Sequence, residues 1–320
     1  MGETLLQVEH LGVELAGAEV LTDVSFSVER GACLGIVGES GSGKTITCRT
    51  LVGLERRMGA RVVRGRIAID GVDVVGMDDT QWRAMRGRRV ALVPQASLNS
   101  MDPLMCVGSQ LAETVRTLDP AADPQARALE LLEQVDMPRP RAVLNSRPHE
   151  LSGGMRQRAM IALALAGRPS LLIADEPTTA LDVTVQRRIL RLLTTLRKQT
   201  GMAMIFVSHD MNVVRSVSDH VTVMYAGRSV ESGPVEGVFL RAAHPYTRAL
   251  LAAQPDNANP NAPLASISGT APLFGHRPSG CPFRPRCAYA IDACASPVEC
   301  AVIGHQHTAA CLRARKAAPP

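Results

Sequence analysis

The sequence predicts an α/β fold, and three observations support that prediction. A continuous apolar run at residues 32–37 ends in valine and leads into a glycine-rich loop at 38–45. Apolar runs return at 171–174 and 204–207, as in strands that are buried on both faces of a parallel sheet. Helical patterns separate these strands, so strand and helix alternate along the chain, which is typical of α/β proteins.

The remaining elements follow in order along the chain. Residues 5–30 predict antiparallel strands, because apolar and polar side chains alternate there. A helix is expected directly after the glycine-rich loop, over 45–54. Helical periods broken by prolines indicate a helical insertion from about 95 to 166. Further strands are predicted at 66–69 and 89–93, a helix at 185–198 and a terminal hairpin at 221–231.

Composition bounds the class of protein and its partners. The chain has 320 residues, of which 46% are hydrophobic, but no apolar run reaches transmembrane length. Glu3 and Glu9 replace the basic and apolar pattern of a signal peptide, so we expect a cytosolic chain that docks on a membrane protein. The net charge of +5 and an aromatic content of 3% favour a solvated surface over nucleic-acid binding. No nucleic-acid partner is therefore expected.

The glycine-rich loop has the complete GxxxxGK[ST] pattern of a phosphate-binding P-loop. Its glycines allow successive backbone N–H groups to face phosphate oxygens, and the following helix adds its positive N-terminal end. Lys44 would place a charge on the β- and γ-phosphates, and Thr45 would offer its hydroxyl to Mg²⁺. The residues predicted to bind the nucleotide here are Gly38, Glu39, Ser40, Gly41, Ser42, Gly43, Lys44 and Thr45.

Two carboxylates follow the apolar run at 171–174. Asp175 stands at the end of the predicted strand, where it would reach Mg²⁺ beside Thr45. Glu176 comes next and is placed to orient or deprotonate an attacking water. Phosphoryl transfer depends on positioning and charge stabilisation, and these side chains supply both. The sequence therefore predicts ATP hydrolysis.

A second motif, Leu151-Ser152-Gly153-Gly154-Met155, precedes the strand that ends in Asp175. With the P-loop, it resembles the ATP-binding subunit of ATP-binding-cassette (ABC) transporters. The resemblance implies a RecA-like P-loop ATPase core with an antiparallel β-subdomain, a helical subdomain and a C-terminal cysteine-containing extension. It implies an ATP-binding domain over 1–235, with the helical subdomain at about 95–166, and an extension over 236–320.

The resemblance also implies roles for individual residues. Gln95 looks like the Q-loop glutamine, which contacts Mg²⁺ and the attacking water. His209 looks like the switch histidine that contacts the γ-phosphate, so the implied catalytic set is Glu176, His209 and Gln95. Leu15 stands where such subunits carry an aromatic residue against adenine. Residues implied to bind nucleotide from the signature motif and the D-loop are Ser152, Gly153, Gly154 and Asp182.

The C-terminal part resembles ATPases of the dipeptide, oligopeptide and nickel importers. Residues 244–251, a proline-rich stretch, a cysteine cluster and Ala96-Ser97-Leu98-Asn99 carry this resemblance. It implies a paralogous ATPase subunit as partner, two transmembrane permeases and an extracytoplasmic binding protein, with the chain peripheral on the cytoplasmic face of the inner membrane. Peptides are the expected substrate; nickel, a soluble non-transport ATPase and a regulatory subunit without turnover remain alternatives.

Five of the eight cysteines lie in the last 40 residues. In a cytosolic chain such clustering favours a metal over disulfides. The sequence contains no C-x₂-C pair, and this absence weakens the case for a zinc ribbon. The family resemblance implies a [4Fe–4S] cluster, with Cys300 as a bystander. Zinc and free thiols are the alternatives. The implied cluster ligands are Cys281, Cys287, Cys294 and Cys311.

Overall fold

The computed structural model describes residues 2–95, 100–179, 181–254 and 266–314. The chain divides into two compact units. The first unit consists of Met1–Glu3, Arg30–Ala32 and Met77–Ile205. The second consists of Thr4–Glu29, Cys33–Gly76 and Phe206–Pro320. The predicted boundary at residue 235 therefore stays a prediction, and Ala96-Ser97-Leu98-Asn99 lies outside the described residues.

The second unit is built on strands. Antiparallel pairing joins β1 to β2 and to β4, and β5 pairs with β4. β3 runs parallel to β9, which pairs antiparallel with β10. These strands are β1 (Thr4–Leu15), β2 (Ala18–Glu29), β3 (Cys33–Val37), β4 (Ala60–Ile69), β5 (Val72–Asp73), β9 (His220–Tyr225) and β10 (Arg228–Pro234). The antiparallel strands predicted over 5–30 and the buried strand before the P-loop are confirmed.

The turn between β1 and β2 explains why that hairpin is tight. Ala16 and Gly17 have φ values of 50° and 78°, so both central residues are left-handed, as the right-handed twist of a two-residue hairpin requires. In β2 every second residue from Val24 to Val28 is buried, which accounts for the period of two there, whereas β1 buries neighbouring residues at 5–6 and 11–13. Two strands were not predicted: β12 (His307–Ala309) pairs with β10, and β11 (Ala301–Gly304) pairs with β12. They attach the C-terminal segment to the sheet.

Among its described residues, the second unit contains the α-helices α1 (Lys44–Thr50), α8 (Met211–Val217), α9 (Val235–Leu240) and α10 (Pro245–Ala252). α10 begins after His244, whose ring Nδ1 accepts a hydrogen bond from the Tyr246 N–H at 3.1 Å, with Pro245 in the first turn. Proline is well tolerated there because its missing N–H would have had no partner inside the helix.

The first unit is largely helical. Its strands β6 (Val90–Val93) and β7 (Leu171–Asp175) pair in parallel, and every residue of β7 is buried. That burial explains the uninterrupted apolar run in the sequence. The helices are α2 (Asp79–Met85), α3 (Val107–Leu118), α4 (Pro124–Gln134), α5 (Pro140–Val143), α6 (Gly153–Leu165) and α7 (Val183–Thr200). Strand β8 (Ala203–Ser208) carries the chain from the first unit into the second.

Side chains at the helix ends fix these boundaries. Asp123 caps α4 by accepting the Gln125 and Ala126 N–H groups, with Pro124 in the first helical position. α7 ends at Gly201, which adopts a left-handed φ of 69°. Of the helices in the described ranges, none is both long enough and apolar enough to span a bilayer.

Candidate functional site

The P-loop joins β3 to α1 in the second unit. Neighbouring atoms come so close to Gly38 and Gly43 that a side chain would not fit at either position. A Cβ on Gly38, at φ 156°, would lie 2.2 Å from the Met224 carbonyl oxygen. A Cβ on Gly43, at φ 103°, would lie 2.6 Å from the Leu21 Cδ2 atom. Gly41 has φ 77° and open space around it, so backbone conformation alone explains that glycine.

Lys44 folds back over the loop. Its Nζ donates hydrogen bonds to the carbonyl oxygens of Gly38 at 2.8 Å and Glu39 at 2.9 Å, and the residue is only 6% exposed. The hydroxyl of Ser42 is buried without a hydrogen-bond partner among the described residues. Such a group favours a polar ligand, because an unpaired buried hydroxyl costs free energy.

The N-terminus of α1 suits an anion. Gly43 provides no side-chain cap, and the first turn contains no acidic residue. The N–H groups at such an end carry partial positive charge and bind phosphate readily. Thr45 lies half-buried in this first turn, next to Lys44. The loop, the ammonium group and the helix end therefore lie together in the second unit, and their binding of phosphate stays a prediction.

In the first unit, the side chains of Gln95 and Glu176 are hydrogen-bonded to each other, and their catalytic roles stay predictions. Asp175 ends β7 and is 3% exposed. The Glu176 carboxylate accepts hydrogen bonds from Gln95 Nε2 at 3.0 Å and from Thr179 Oγ1 at 2.9 Å. Its backbone is left-handed, with φ 47°, a conformation that non-glycine residues hold at a cost and that recurs at active sites. The sequence analysis predicts no catalytic role for Thr179. The sequence signal that could have found this contact is a hydroxyl residue three positions after Glu176.

The signature motif begins α6. Ser152 caps the helix, its Oγ accepting a hydrogen bond from the Met155 N–H at 3.3 Å, so the hydroxyl keeps its own proton to donate. A Cβ on Gly154 would lie 2.7 Å from Val185 Cγ1, and one on Gly153 would lie 3.3 Å from Leu181 Cδ2. The two glycines therefore allow the start of α6 to pack closely against the residues around the start of α7.

Two aspartates near predicted site residues cap helices, and one of them, Asp182, is itself a predicted nucleotide-binding residue. Asp182 caps α7 by accepting the Val185 N–H at 2.9 Å, so its nucleotide contact stays a prediction. Asp210 caps α8 in the same way and holds the helix that follows His209. His209 itself is exposed at the junction of β8 and α8. Ala180, in the middle of the predicted D-loop, lies outside the described residues.

The cysteine pocket is a second candidate site, formed entirely in the second unit. Four of the cysteines line it together with His244 and Phe283, whereas Cys300 does not line it and is exposed. Burial raises the pKa of the Cys281, Cys287 and Cys311 thiols. The four lining cysteines are the predicted ligands Cys281, Cys287, Cys294 and Cys311.

The spacing of these thiols bears directly on metal binding. Within the described residues, no three His, Cys, Asp or Glu side chains are grouped closely enough to hold a metal ion as they stand. All eight cysteines lie in the described ranges, and none of them forms a disulfide there. The geometry thus gathers the four predicted ligands around one pocket without arranging them at coordination distances.

His244 adds an observation that the sequence did not predict. The residue is 1% exposed and lines the cysteine pocket. Burial lowers its pKa to about 4, so the ring is neutral at neutral pH. Because Nδ1 accepts the Tyr246 N–H, the ring proton lies on Nε2, which is buried and has no hydrogen-bond partner in the described structure. A buried donor without a partner beside four thiols fits an acceptor bound in the pocket.

Comparison with known proteins decides the family. A family model described as "ABC transporter" matches residues 21–179, and one described as "Oligopeptide/dipeptide transporter, C-terminal region" matches residues 230–294. The probable peptide ABC transporter ATP-binding protein y4tR of Sinorhizobium fredii is 42% identical over 322 residues, covering 98% of this chain and 96% of that protein. The chain belongs to the ABC transporter ATP-binding family. The dipeptide transport ATP-binding protein DppD of Escherichia coli is also 42% identical, over 89% of this chain and 88% of that protein.

Solved structures agree with this ABC subunit over the ATPase core. The dimeric post-hydrolysis structure of the ATP-binding cassette MJ0796, bound to ADP and Pi, is 26% identical with a TM-score of 0.64, covering 72% of this chain and 98% of that one. The structure of cbiO1 from Clostridium perfringens is 25% identical with a TM-score of 0.65, covering 74% and 91%. The predicted α/β ABC ATPase fold is confirmed, and the chain is an ATPase of the type that couples ATP hydrolysis to transport.

The position expected to carry an adenine-stacking aromatic does hold Leu15 at the end of β1. Leu15 is half-buried and pairs with Ala18 across the hairpin. Phe274, an aromatic residue of the C-terminal segment, is connected to this hairpin through Arg277. The Arg277 guanidinium lies over the Phe274 ring at 5.7 Å and donates hydrogen bonds to the Glu19 and Val20 carbonyls at 2.6 and 2.7 Å. No sequence pattern predicts this arrangement, because the two segments are about 250 residues apart.

Proposed function

We propose that this ABC subunit binds and hydrolyses ATP to drive the import of di- or oligopeptides. The observation that carries the proposal is the C-terminal match over residues 230–294, which follows a complete set of ATPase motifs. Relatives at 42% identity are named for peptide and dipeptide transport. Permeases select and pass the substrate, so the role of this chain is to power transport.

In the proposed mechanism, the P-loop N–H groups, the α1 N-terminus and Lys44 hold the β- and γ-phosphates. The Glu176 carboxylate orients a water molecule and accepts its proton while the water oxygen bonds to the γ-phosphorus. The bond from that phosphorus to the bridging oxygen breaks, and ADP and phosphate form. Gln95 and Thr179 support this role by holding the carboxylate through its Oε2 atom.

Other residues complete the proposed site. Mg²⁺ would be held by Thr45, Asp175 and Gln95, and it would neutralise charge on the phosphate oxygens. His209 would contact the γ-phosphate. Ser152, Gly153 and Gly154 would bind the γ-phosphate held by a second ATPase subunit, since Ser152 keeps a hydroxyl proton to donate and lies at a helix N-terminus. Activity should then require dimerisation, and the purified chain alone should hydrolyse ATP poorly.

We propose the assembly that follows from this family. A paralogous ATPase would pair with this chain beneath two transmembrane permeases, and an extracytoplasmic protein would deliver substrate to them. The chain would lie peripherally on the cytoplasmic face of the inner membrane. Residues 1–235 would form the ATP-binding domain and 236–320 the extension.

We further propose that the cysteine pocket holds a [4Fe–4S] cluster with a structural role. Four thiolates are the ligands such a cluster uses, and the pocket brings together four cysteines while leaving Cys300 outside. The unpartnered Nε2–H of His244 would donate to a cluster sulfide or a ligand sulfur. Anaerobic purification should give absorbance near 400 nm with iron and sulfide. A colourless protein with one zinc per chain would replace the cluster by zinc.

Reconstituted transport tests the main proposal. The chain is co-purified with its permeases and partner ATPase and placed in proteoliposomes with the binding protein. ATP-dependent uptake of a labelled dipeptide is expected, and it should stop in a Glu176→Gln complex that still binds ATP. Uptake of Ni²⁺ without dipeptide uptake would reassign the substrate. Recovery of ribosomes or DNA in place of permeases from a detergent extract would contradict the transporter assignment.

A further inference from the structure

Glu39, the second residue of the P-loop, is held by an arginine of the C-terminal extension. The Arg286 guanidinium and the Glu39 carboxylate form a bidentate pair, with Nη1 to Oε2 at 2.6 Å and Nη2 to Oε1 at 3.0 Å. The Arg286 side chain is 5% exposed and that of Glu39 is 28% exposed. Paired, parallel hydrogen bonds between charged groups are among the strongest and most directional contacts in proteins.

The backbone of Glu39 is held as well. Its N–H donates to the Tyr246 hydroxyl at 2.8 Å, and its carbonyl accepts the Lys44 ammonium at 2.9 Å. Tyr246 is fully buried and packs against Tyr225 and Phe283, with ring centroids 4.6 and 5.3 Å away. A tyrosine fixed in this way leaves its hydroxyl in one place, so the P-loop backbone is anchored by α10.

Arg286 is in turn fixed by its own segment. Its Nε donates to the Ser268 carbonyl at 2.8 Å and its Nη2 to the Ile267 carbonyl at 3.2 Å. The guanidinium lies over the rings of Tyr225 and Phe283 at 5.8 and 5.9 Å. Arg286 is therefore held by two carbonyls of its own segment and by rings of β9 and the extension, in addition to its pair with Glu39.

The charge of Glu39 is the physical reason for this arrangement. A carboxylate in a phosphate-binding loop repels the anionic nucleotide, and the repulsion is strong where solvent is partly excluded. Arg286 cancels that charge and fixes the direction in which the carboxylate points. We propose that Arg286 is a positioning residue of the ATP site, supplied by the C-terminal extension, which sets ATP affinity by neutralising and orienting Glu39. This inference rests on the ATP site and is independent of what the cysteines bind.

The test compares full-length variants by isothermal titration with Mg²⁺-ATP, all in a Glu176→Gln background that blocks turnover. Arg286→Ala should raise the Kd for ATP by about tenfold to a hundredfold, since it leaves an uncompensated charge in the loop. Arg284→Ala, in the same turn, removes an equal charge and should stay within about twofold of the parent. Arg286→Lys should fall between them, because one ammonium cannot make the bidentate pair.

Adding Glu39→Gln separates this role from a merely structural one. In the Glu39→Gln, Arg286→Ala double variant, the repulsive charge is gone, so ATP affinity should return to within about threefold of Glu39→Gln alone. Thermal melting and metal content are measured for every variant. If Arg286→Ala is too unstable, Arg286→Lys and the double variant still decide the question. Affinity equal to that of Arg284→Ala, or a loss that Glu39→Gln leaves unrelieved, would overturn the proposal.

Discussion

The P-loop and the cysteine pocket both lie in the second unit, but their residues are distributed along the chain in opposite ways. The P-loop is eight consecutive residues from the end of one strand to the start of one helix, although the close approaches that require Gly38 and Gly43 are made by Met224 and Leu21. The pocket needs side chains from His244 to Cys311, brought together by a helix, short turns and two small strands. A contiguous motif can be recognised from the spacing of its residues in the sequence. A site made of dispersed residues can be recognised only when the fold that brings them together is known.

The largest expected effect tests the contiguous region and its carboxylate partner. Glu176→Gln removes the base while keeping the side chain's shape, so ATP binding should persist and turnover should fall by about a hundredfold or more. Phosphate release and nucleotide binding are measured on the assembled complex. Glu133→Gln, on α4, is the matched control and should be unchanged. Lys44→Ala should instead weaken binding itself, because it removes the charge on the phosphates. Near-normal turnover in Glu176→Gln would reject the role of that residue.

The second prediction concerns the dispersed region and contrasts two cysteines. Cys281 lines the pocket and Cys300 is exposed outside it. Cys281→Ser should lose most bound metal and lower the melting temperature, because a metal staples a small segment that has little core of its own. Cys300→Ser should keep both. Metal content and melting are recorded on anaerobically purified protein. Equal behaviour of the two variants, or no metal in the parent, would leave the cysteines as free thiols.

Parts of both regions were within reach of the sequence. The order of strands and helices followed from periodicity, and the assigned cysteines do gather around one pocket. His244 and Arg286 were not predicted as site residues, because only tertiary packing brings together the pocket around His244 and the Arg286–Glu39 pair. Thr179 was missed although its partner Glu176 is only three residues away. The strands β11 and β12 escaped prediction because they have only four and three residues, too few to show a period of two. The roles of Ser152, Asp182 and His209 towards nucleotide remain predictions.

The third prediction concerns the link between the extension and the sheet. Glu231 on β10 is 1% exposed and accepts hydrogen bonds from the Ala243 and His244 N–H groups at 2.8 and 2.9 Å, and it contacts His307 Nε2 at 2.8 Å. Glu231→Ala would leave two buried N–H groups and a histidine without this partner. We expect a loss of about 3 kcal/mol in the free energy of unfolding.

Urea denaturation measures that loss, with Glu236→Ala as the control. Glu236 is exposed in its ion pair with Arg215, so its removal should cost less than about 1 kcal/mol. Limited proteolysis should also cut the extension of Glu231→Ala sooner than the rest of the chain. Equal unfolding midpoints for the two variants would mean that the extension is attached by other contacts.

The smallest expected effect concerns nucleotide-base binding at Leu15, the position where the sequence departs from the family pattern. Leu15 stands where an aromatic residue is expected, so ATP and GTP should be discriminated weakly. Leu15→Tyr should strengthen ATP binding by about 1–3 kcal/mol, the range for one stacked base. Leu15→Ile is the matched control and should change little. Affinities for ATP and GTP are measured by titration. If Leu15→Tyr has no effect while Phe274→Ala weakens ATP binding, stacking comes from the C-terminal segment. If neither variant changes affinity, the base is held by polar contacts or by the partner subunit.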